Sequence, residues 1–72
     1  MQVKSVRYFK TNRGLGYEAK TNDGTIWNDG MGGETYFEDS KGRYVDEISG
    51  IGGMDRESYL ESLIDTYEGV KK

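Results

Sequence analysis

The segment 54–70, MDRESYLESLIDTYEGV, is the longest stretch of the chain with a helical period. At about 100° of rotation per residue, its larger apolar side chains fall within an arc of about 140°. These side chains are Tyr59, Leu60, Leu63, Ile64, Tyr67 and Val70. Asp55 precedes them and is a residue type that accepts a backbone N–H at the start of a helix. The segment therefore predicts an amphipathic helix over about 55–70 with one face on a core.

The other side of the predicted helix is acidic. Glu57, Glu61, Asp65 and Glu68, which we call the acidic row, lie within about 80° of one another on the same helical wheel. Carboxylates four residues apart repel, and each such pair destabilises a helix by roughly 0.2–0.5 kcal/mol. A rise of about 1.5 Å per residue gives the row a length of about 16 Å. Such a row is either an ordinary solvated helix face or a docking surface for a basic partner.

The residues before the helix alternate between strand-forming segments and turn-forming segments. Val, Ile, Thr and aromatic residues predict strands at about 2–11, 15–21, 25–28, 34–38 and 43–48. The sequence NDG at 22–24, between the second and third of these strands, is the strongest short hairpin signal. Alternation in the second strand directs Leu15, Tyr17 and Ala19 toward the helix.

A run of strands followed by one helix is typical of an α+β fold. The predicted architecture is an antiparallel meander sheet of four to five strands, with the C-terminal amphipathic helix packed on one face. Because the chain has 72 residues and no tract of linker composition, we expect a single domain over 1–72. The other face of the sheet is then available for function.

The residue types that are absent exclude several kinds of chemistry. The chain contains no Cys and no His, which excludes disulfides, the usual structural zinc sites and catalysis by thiolate or imidazole. The Gly-rich stretches 29–33 and 50–53 lack the Lys-Ser/Thr of a phosphate loop, and the acidic turns lack calcium-loop spacing. We therefore expect a non-enzymatic protein without a cofactor or metal. No apolar run has the length of a membrane span or the form of a signal peptide, so we expect a cytoplasmic protein without membrane contact.

The net charge of −3 is unevenly distributed along the chain. Residues 1–21 contain five bases and one acid, a net charge of +4, whereas residues 22–72 contain five bases and twelve acids, a net charge of −7. The basic part combines phosphate-pairing charge with an aromatic side chain, as in proteins that bind single-stranded nucleic acid. The residues concerned are Arg7, Lys10, Arg13, Lys20 and Phe9. Binding of single-stranded nucleic acid by the hairpin 4–20 is therefore the alternative function.

The acidic row is the sharper functional signal, because helix stability alone does not favour it. The sequence predicts a protein-binding module that inhibits a larger, nucleic-acid-handling protein by docking the acidic row on its basic surface. Trp27 and Tyr36 are the expected aromatic anchors of this contact, and a position of Trp27 in the core is the alternative. In size, charge and absence of cysteine, the chain resembles small inhibitor proteins encoded by phages and other mobile elements. Because a sheet edge can pair with a second copy, both a monomer and a homodimer are open.

Overall fold

The computed structural model describes residues 1–30 and 33–71, apart from the side chain of Lys71. Within these residues the elements are β1 (Val3–Thr11), β2 (Gly14–Thr21), β3 (Gly24–Asn28), β4 (Tyr36–Asp39) and α1 (Arg56–Lys71). The strands form one antiparallel sheet in the order β1-β2-β3-β4, and α1 packs on one face of it. The predicted α+β meander with a C-terminal helix is confirmed, with four strands. Met31 and Gly32 of the predicted Gly-rich loop 29–33 lie outside the described residues.

Threonine hydroxyl groups hold the two hairpin turns at the start of the sheet. In the β1–β2 turn, Oγ1 of Thr11 accepts the N–H of Arg13 at 3.0 Å. In the β2–β3 turn, Oγ1 of Thr21 accepts the N–H groups of Asp23 and Gly24 at 3.0 and 2.9 Å. These local bonds satisfy backbone donors that have no ladder partner in the turn. The second turn is the hairpin that the NDG sequence predicts.

A bulge in β1 explains why its sequence does not alternate cleanly. The pairing register of β1 against β2 shifts between Val3 and Ser5. As a result, Val3 and Val6 both contribute to the core although three positions separate them. Beyond the bulge, neighbouring side chains point to opposite faces, so Tyr8 lies on the helix-covered side and Phe9 on the other.

The core lies between the sheet and α1. Its buried apolar side chains are Val3, Ala19, Ile26, Phe37, Leu60 and Ile64. Leu60 and Ile64 are one turn apart on the apolar face that the sequence predicts for the helix. At the start of α1, Oδ1 of Asp55 accepts the N–H of Ser58 at 2.8 Å, which confirms the predicted N-cap. Within the described chain, α1 lacks the length and the apolar character needed to cross a membrane.

The prediction of a fifth strand at 43–48 is wrong. Only Tyr44 of this segment forms a β-bridge, and its partner is Glu38 of β4. Backbone pairing with β4 continues to Val45, whose N–H donates to the Phe37 carbonyl at 2.9 Å, and Asp46 then binds Arg56 at the start of α1. The Nη1 atom of Arg56 lies 2.6 Å from the Asp46 carboxylate and donates to the Asp46 carbonyl at 3.2 Å. That carbonyl is therefore satisfied by a side chain and not by a strand ladder.

Two apolar side chains that the sequence assigns to the core are exposed. Leu15 is 62% exposed and Val70 is 83% exposed. Leu15 lies opposite Lys10, near the β1–β2 turn, where α1 no longer covers the sheet. Val70 lies in the last turn of α1, beside Met1 at the rim of a shallow groove. The strand and helix periods therefore predict which face each residue lies on. They do not predict how far the opposing helix or sheet covers that face.

Candidate binding surfaces

The residues predicted to form one docking surface lie on opposite faces of the sheet. Ile26 and Phe37 are buried under α1. Their neighbours Trp27 and Tyr36, which pair across β3 and β4, therefore project from the other face, which we call the open face. The acidic row belongs to α1 and lies on the helix-covered side. The predicted set is divided between two surfaces.

The acidic row follows the seam where α1 meets the β1–β2 hairpin. One oxygen of Glu61 accepts the hydroxyl hydrogen of Thr35 at 3.3 Å. Further along the helix, Glu68 accepts the hydroxyl hydrogen of Tyr8 in β1. Two carboxylates of the row thus accept hydrogen bonds from hydroxyl groups of the strand region.

A shallow groove, which we call the seam groove, runs beside the row. It is lined by Tyr8, Tyr17, Glu61, Ile64 and Asp65. An adjoining depression shares Tyr17 and Glu61 with it and extends the groove to Leu15. The rings of Tyr8 and Tyr17 meet edge to face, with centroids 6.1 Å apart, and Tyr8 is 48% exposed. The groove therefore combines carboxylates with accessible apolar surface.

A buried hydroxyl positions Glu61 in the seam groove. Oγ1 of the buried Thr35 lies 3.1 Å from the hydroxyl of Tyr17 and 3.2 Å from Nδ2 of Asn28, in addition to its contact with Glu61. A hydroxyl has one hydrogen to donate and two lone pairs. Donation to Glu61 leaves the lone pairs for Tyr17 and Asn28. Asn28 also donates to the carbonyl of Gly33 at 3.1 Å, which ties the β3–β4 loop to this network.

The carboxylates of the row affect the neighbouring phenols. The hydrogen bond to Glu68 is the main cause that raises the pKa of Tyr8 to about 12. Burial is the main cause that raises the pKa of Tyr17, and the charges of the row raise it further. Among the described side chains, no base forms an ion pair with the acidic row. The row is therefore a concentration of uncompensated negative charge within the described structure.

The open face carries four aromatic side chains, Phe9, Trp27, Tyr36 and Tyr44, which we call the aromatic band. Half-buried Trp27 and Tyr36 have ring centroids 4.9 Å apart, and Tyr36 and Tyr44 have centroids 5.3 Å apart. Phe9 occupies the other side of the sheet face, where its ring lies over Gly16 of β2. A Cβ at Gly16 would come 3.1 Å from Cε2 of Phe9, so the absence of a side chain there makes room for the ring.

Basic side chains flank both ends of the aromatic band. Arg7 lies 5.6 Å from the centre of the Phe9 ring. Arg7 and Lys20 both pair with Glu18, at 3.5 and 3.2 Å, and the hydrogen bond from Lys20 is the main cause that lowers the pKa of Glu18. At the β4 end, the Arg56 guanidinium lies 5.5 Å from the centre of the Tyr44 ring. The aromatic band therefore has Arg7 and Lys20 at one end, with Glu18 between them, and Arg56 at the other end.

The remaining bases of the predicted nucleic-acid site lie elsewhere. Lys10 pairs in register with Leu15 and shares the helix-covered side with Tyr8. Arg13, at the β1–β2 turn, pairs with Asp29 at 3.9 Å. The structure thus brings together Arg7, Lys20 and Phe9 of the predicted set and separates Lys10 and Arg13 from them.

The sequence suggested Tyr8 as a stacking residue of the basic hairpin but did not place it beside the acidic row, and it gave no role to Tyr44. The signal for Tyr8 was present, because a turn at 12–13 with Thr11 opposite Gly14 fixes a register that pairs Tyr8 with Tyr17. No such signal existed for Tyr44. Its place in the aromatic band depends on the single bridge that it forms with β4.

No cluster of acidic residues within the described ranges is arranged to hold a metal ion. The two surfaces are therefore best described by their charge and their aromatic side chains. Compared with models of protein families, with curated proteins and with solved structures, the chain has no match.

Proposed function

We propose that the protein is a non-enzymatic binding module that docks on a basic surface of a larger protein through the acidic row. The observation that carries this proposal is the absence, among the described side chains, of any ion pair to the row. Like charges four residues apart destabilise the helix, whereas cations from a partner relieve their repulsion. A basic partner therefore lowers the electrostatic repulsion within the acidic row more than solvent does.

The seam groove supplies the apolar part of the contact. Complementary charge mainly speeds association and selects the partner, whereas affinity depends on well-packed, desolvated anchors. Exposed surface of Tyr8 and Leu15 lies directly beside the carboxylates. Because Tyr8 is already held by Glu68 and by the ring of Tyr17, it loses little conformational freedom on binding. These two side chains replace Trp27 and Tyr36 as the anchors of this surface.

A protein that handles nucleic acid is the partner that suits this surface best. Such proteins present Lys and Arg side chains to the phosphates of the strand. The acidic row offers those side chains negative charge along about 16 Å of helix. Docking there blocks the nucleic-acid site, so we propose an inhibitor. The lack of cysteine is compatible with the reducing cytoplasm, where we place this activity.

The test compares two variants that remove equal charge. The row variant is Glu57→Gln/Glu61→Gln/Asp65→Asn, in which the amide oxygen introduced at position 61 still accepts the Thr35 hydroxyl. The control variant carries the same number of neutral replacements at Glu34, Glu38 and Glu47. Each protein is immobilised and exposed to nucleic-acid-binding proteins that were enriched from a cell lysate on heparin, at about 0.1 M salt.

We expect the wild-type and control proteins to retain the same partner and the row variant to lose it. Retention falls as salt is raised, because exposed charges are screened within about 10 Å at 0.1 M salt. The wild-type protein also displaces a labelled oligonucleotide from the purified partner. If the row variant retains the partner as well as the control does, the acidic row is not the docking surface. Retention without displacement of the oligonucleotide contradicts the inhibitor role alone.

A further inference from the structure

The open face, which the proposed function does not use, has the features of a second binding surface. We propose that it binds single-stranded nucleic acid, with bases stacked on the aromatic band and phosphates held by Arg7 and Lys20. The proposal is independent of the acidic row, because the two surfaces lie on opposite sides of the sheet.

The aromatic band supplies the stacking surface. Phe9 and Trp27 border one shallow depression on the open face, and Trp27, Tyr36 and Tyr44 continue as successive ring contacts. A strand spacing of about 4.8 Å places β1 and β4 about 14 Å apart, which is room for more than one base. Stacking on aromatic rings is tolerant of sequence because every base has a π face. The band is therefore suited to unpaired bases of any sequence.

The charges of the open face determine where the phosphates lie. The side chains of Arg7 and Lys20 are 72% and 60% exposed. Each also pairs with Glu18, but a guanidinium has five donors and an ammonium three, so both retain donors for a phosphate. Glu38 lies at the β4 end of the same depression. The phosphate backbone therefore follows β1 and β2, and only the bases reach toward β4.

Charge complementarity favours a polyanion over other occupants of this face. On the β1–β2 side of the open face, Arg7 and Lys20 face one acid, Glu18, which gives a local charge of +1 in a chain whose net charge is −3. The acidic row lies on the far side of the sheet, and its charge is screened over about 8–10 Å at ordinary salt. A duplex does not expose the faces of its bases, so the aromatic band selects single strands.

Trp27 makes the test direct, because it is the only Trp of the chain. A mixed-sequence single-stranded oligonucleotide is titrated into the protein across a salt series while Trp27 emission is recorded. We expect quenching, with a log–log salt slope of about −1.4 for two phosphate contacts at about 0.7 each. The duplex of the same sequence leaves the emission unchanged.

Variants of the β1–β2 hairpin distinguish binding at the open face from non-specific attraction of the oligonucleotide to the basic residues of the hairpin. Arg7→Gln reduces the magnitude of the salt slope by about 0.7, whereas Lys10→Gln, an equal charge change on the helix-covered side, leaves it unchanged. Phe9→Ala weakens binding about 5- to 150-fold, and Phe9→Tyr restores it because the stacking surface is kept. Arg7 is exposed, so its replacement tests the proposal without disturbing the fold.

Three results overturn the proposal. The first is no quenching at low salt with about 100 μM oligonucleotide, the weak end of non-specific binding. The second is an equal change of salt slope for Arg7→Gln and Lys10→Gln. The third is a change of Trp27 emission with protein concentration alone, which assigns the open face to a second copy of the chain. The row variant retains oligonucleotide binding, so this proposal and the proposed function fail or succeed separately.

Discussion

Tyr8 in β1 donates its hydroxyl hydrogen to Glu68 in α1, sixty residues further along the chain. This bond joins the wall of the seam groove to the end of the acidic row and raises the pKa of Tyr8 from 10.0 to about 12. Because the folded protein favours the neutral phenol, the stabilisation is fully present below about pH 10. It is lost as the pH rises through about 12.

Replacement of Tyr8 by Phe removes the bond and keeps the ring. We expect the free energy of unfolding to fall by about 0.5–1.5 kcal/mol at pH 7, the usual range for one hydrogen bond in a partly exposed position. Urea denaturation of both proteins measures the difference. That difference narrows between pH 10 and 12, and a constant difference across this range contradicts the assignment of the bond to the neutral phenol.

Thr35 tests the buried network that positions Glu61. Thr35→Val conserves shape and removes the hydroxyl, which deprives Tyr17, Asn28 and Glu61 of a shared partner. We expect a loss of about 1–3 kcal/mol in the free energy of unfolding, the usual penalty for buried polar groups left unpaired. Thr35→Ser keeps the hydroxyl and destabilises less. If Ser is the more damaging replacement in urea denaturation, Thr35 contributes packing and not hydrogen bonding.

Leu60 and Leu15 give a matched test of the core. Leu60 is fully buried, and Leu60→Ala is expected to reduce the free energy of unfolding by about 2–5 kcal/mol. This loss is a large fraction of the total stability of a small domain, which is of the order of 5–15 kcal/mol. Leu15→Ala changes the stability by less than about 0.5 kcal/mol because the side chain is exposed. Urea denaturation monitored by circular dichroism measures both losses. Equal losses for the two variants would contradict the exposed position of Leu15.

The helix cap makes a second pH-dependent prediction. Hydrogen bonds from the backbone and hydroxyl of Ser58 lower the pKa of Asp55 below its ordinary value of 3.8. The ionised carboxylate is therefore favoured in the folded state, and its stabilisation is present above pH 3.8 and lost as the pH falls below that value. We expect Asp55→Ala to lower the thermal midpoint at pH 7, and we expect this difference from the wild type to narrow in strong acid, where the protonated carboxyl group is a weaker, neutral cap. Asp55→Asn keeps a capping oxygen that does not titrate, so its midpoint relative to the alanine variant stays constant with pH.

The positions of most strands and of the helix along the chain could be predicted because local signals determine them. The NDG turn at 22–24 and the cap at Asp55 are examples. The composition of each surface could not be predicted, because it depends on contacts between distant segments. The bulge at Val3 sets which side chains of β1 face α1, and the Asp46 contact with Arg56 ends the expected fifth strand. Neither feature has a short-range pattern. Trp27 lies apart from the acidic row because its neighbour Ile26 is buried under α1, so Trp27 projects from the open face.

The acidic row itself predicts a measurable cost in stability. Glu57 with Glu61 and Glu61 with Asp65 are two like-charge pairs, each worth roughly 0.2–0.5 kcal/mol against the helix. Glu61→Gln removes both pairs and keeps Glu57, whose charge in the first turn favours the helix, so this variant is expected to unfold with a free energy about 0.4–1 kcal/mol higher than the wild type at low salt. Added salt removes this gain because it screens the repulsion in the wild type, and the control variant at Glu34, Glu38 and Glu47 shows none of it. A Glu61→Gln protein that is less stable than the wild type at low salt means that the folded protein already compensates these charges, which removes the physical reason for a basic partner. A gain in stability that accompanies loss of partner binding is instead the relation expected of a surface that is maintained for function.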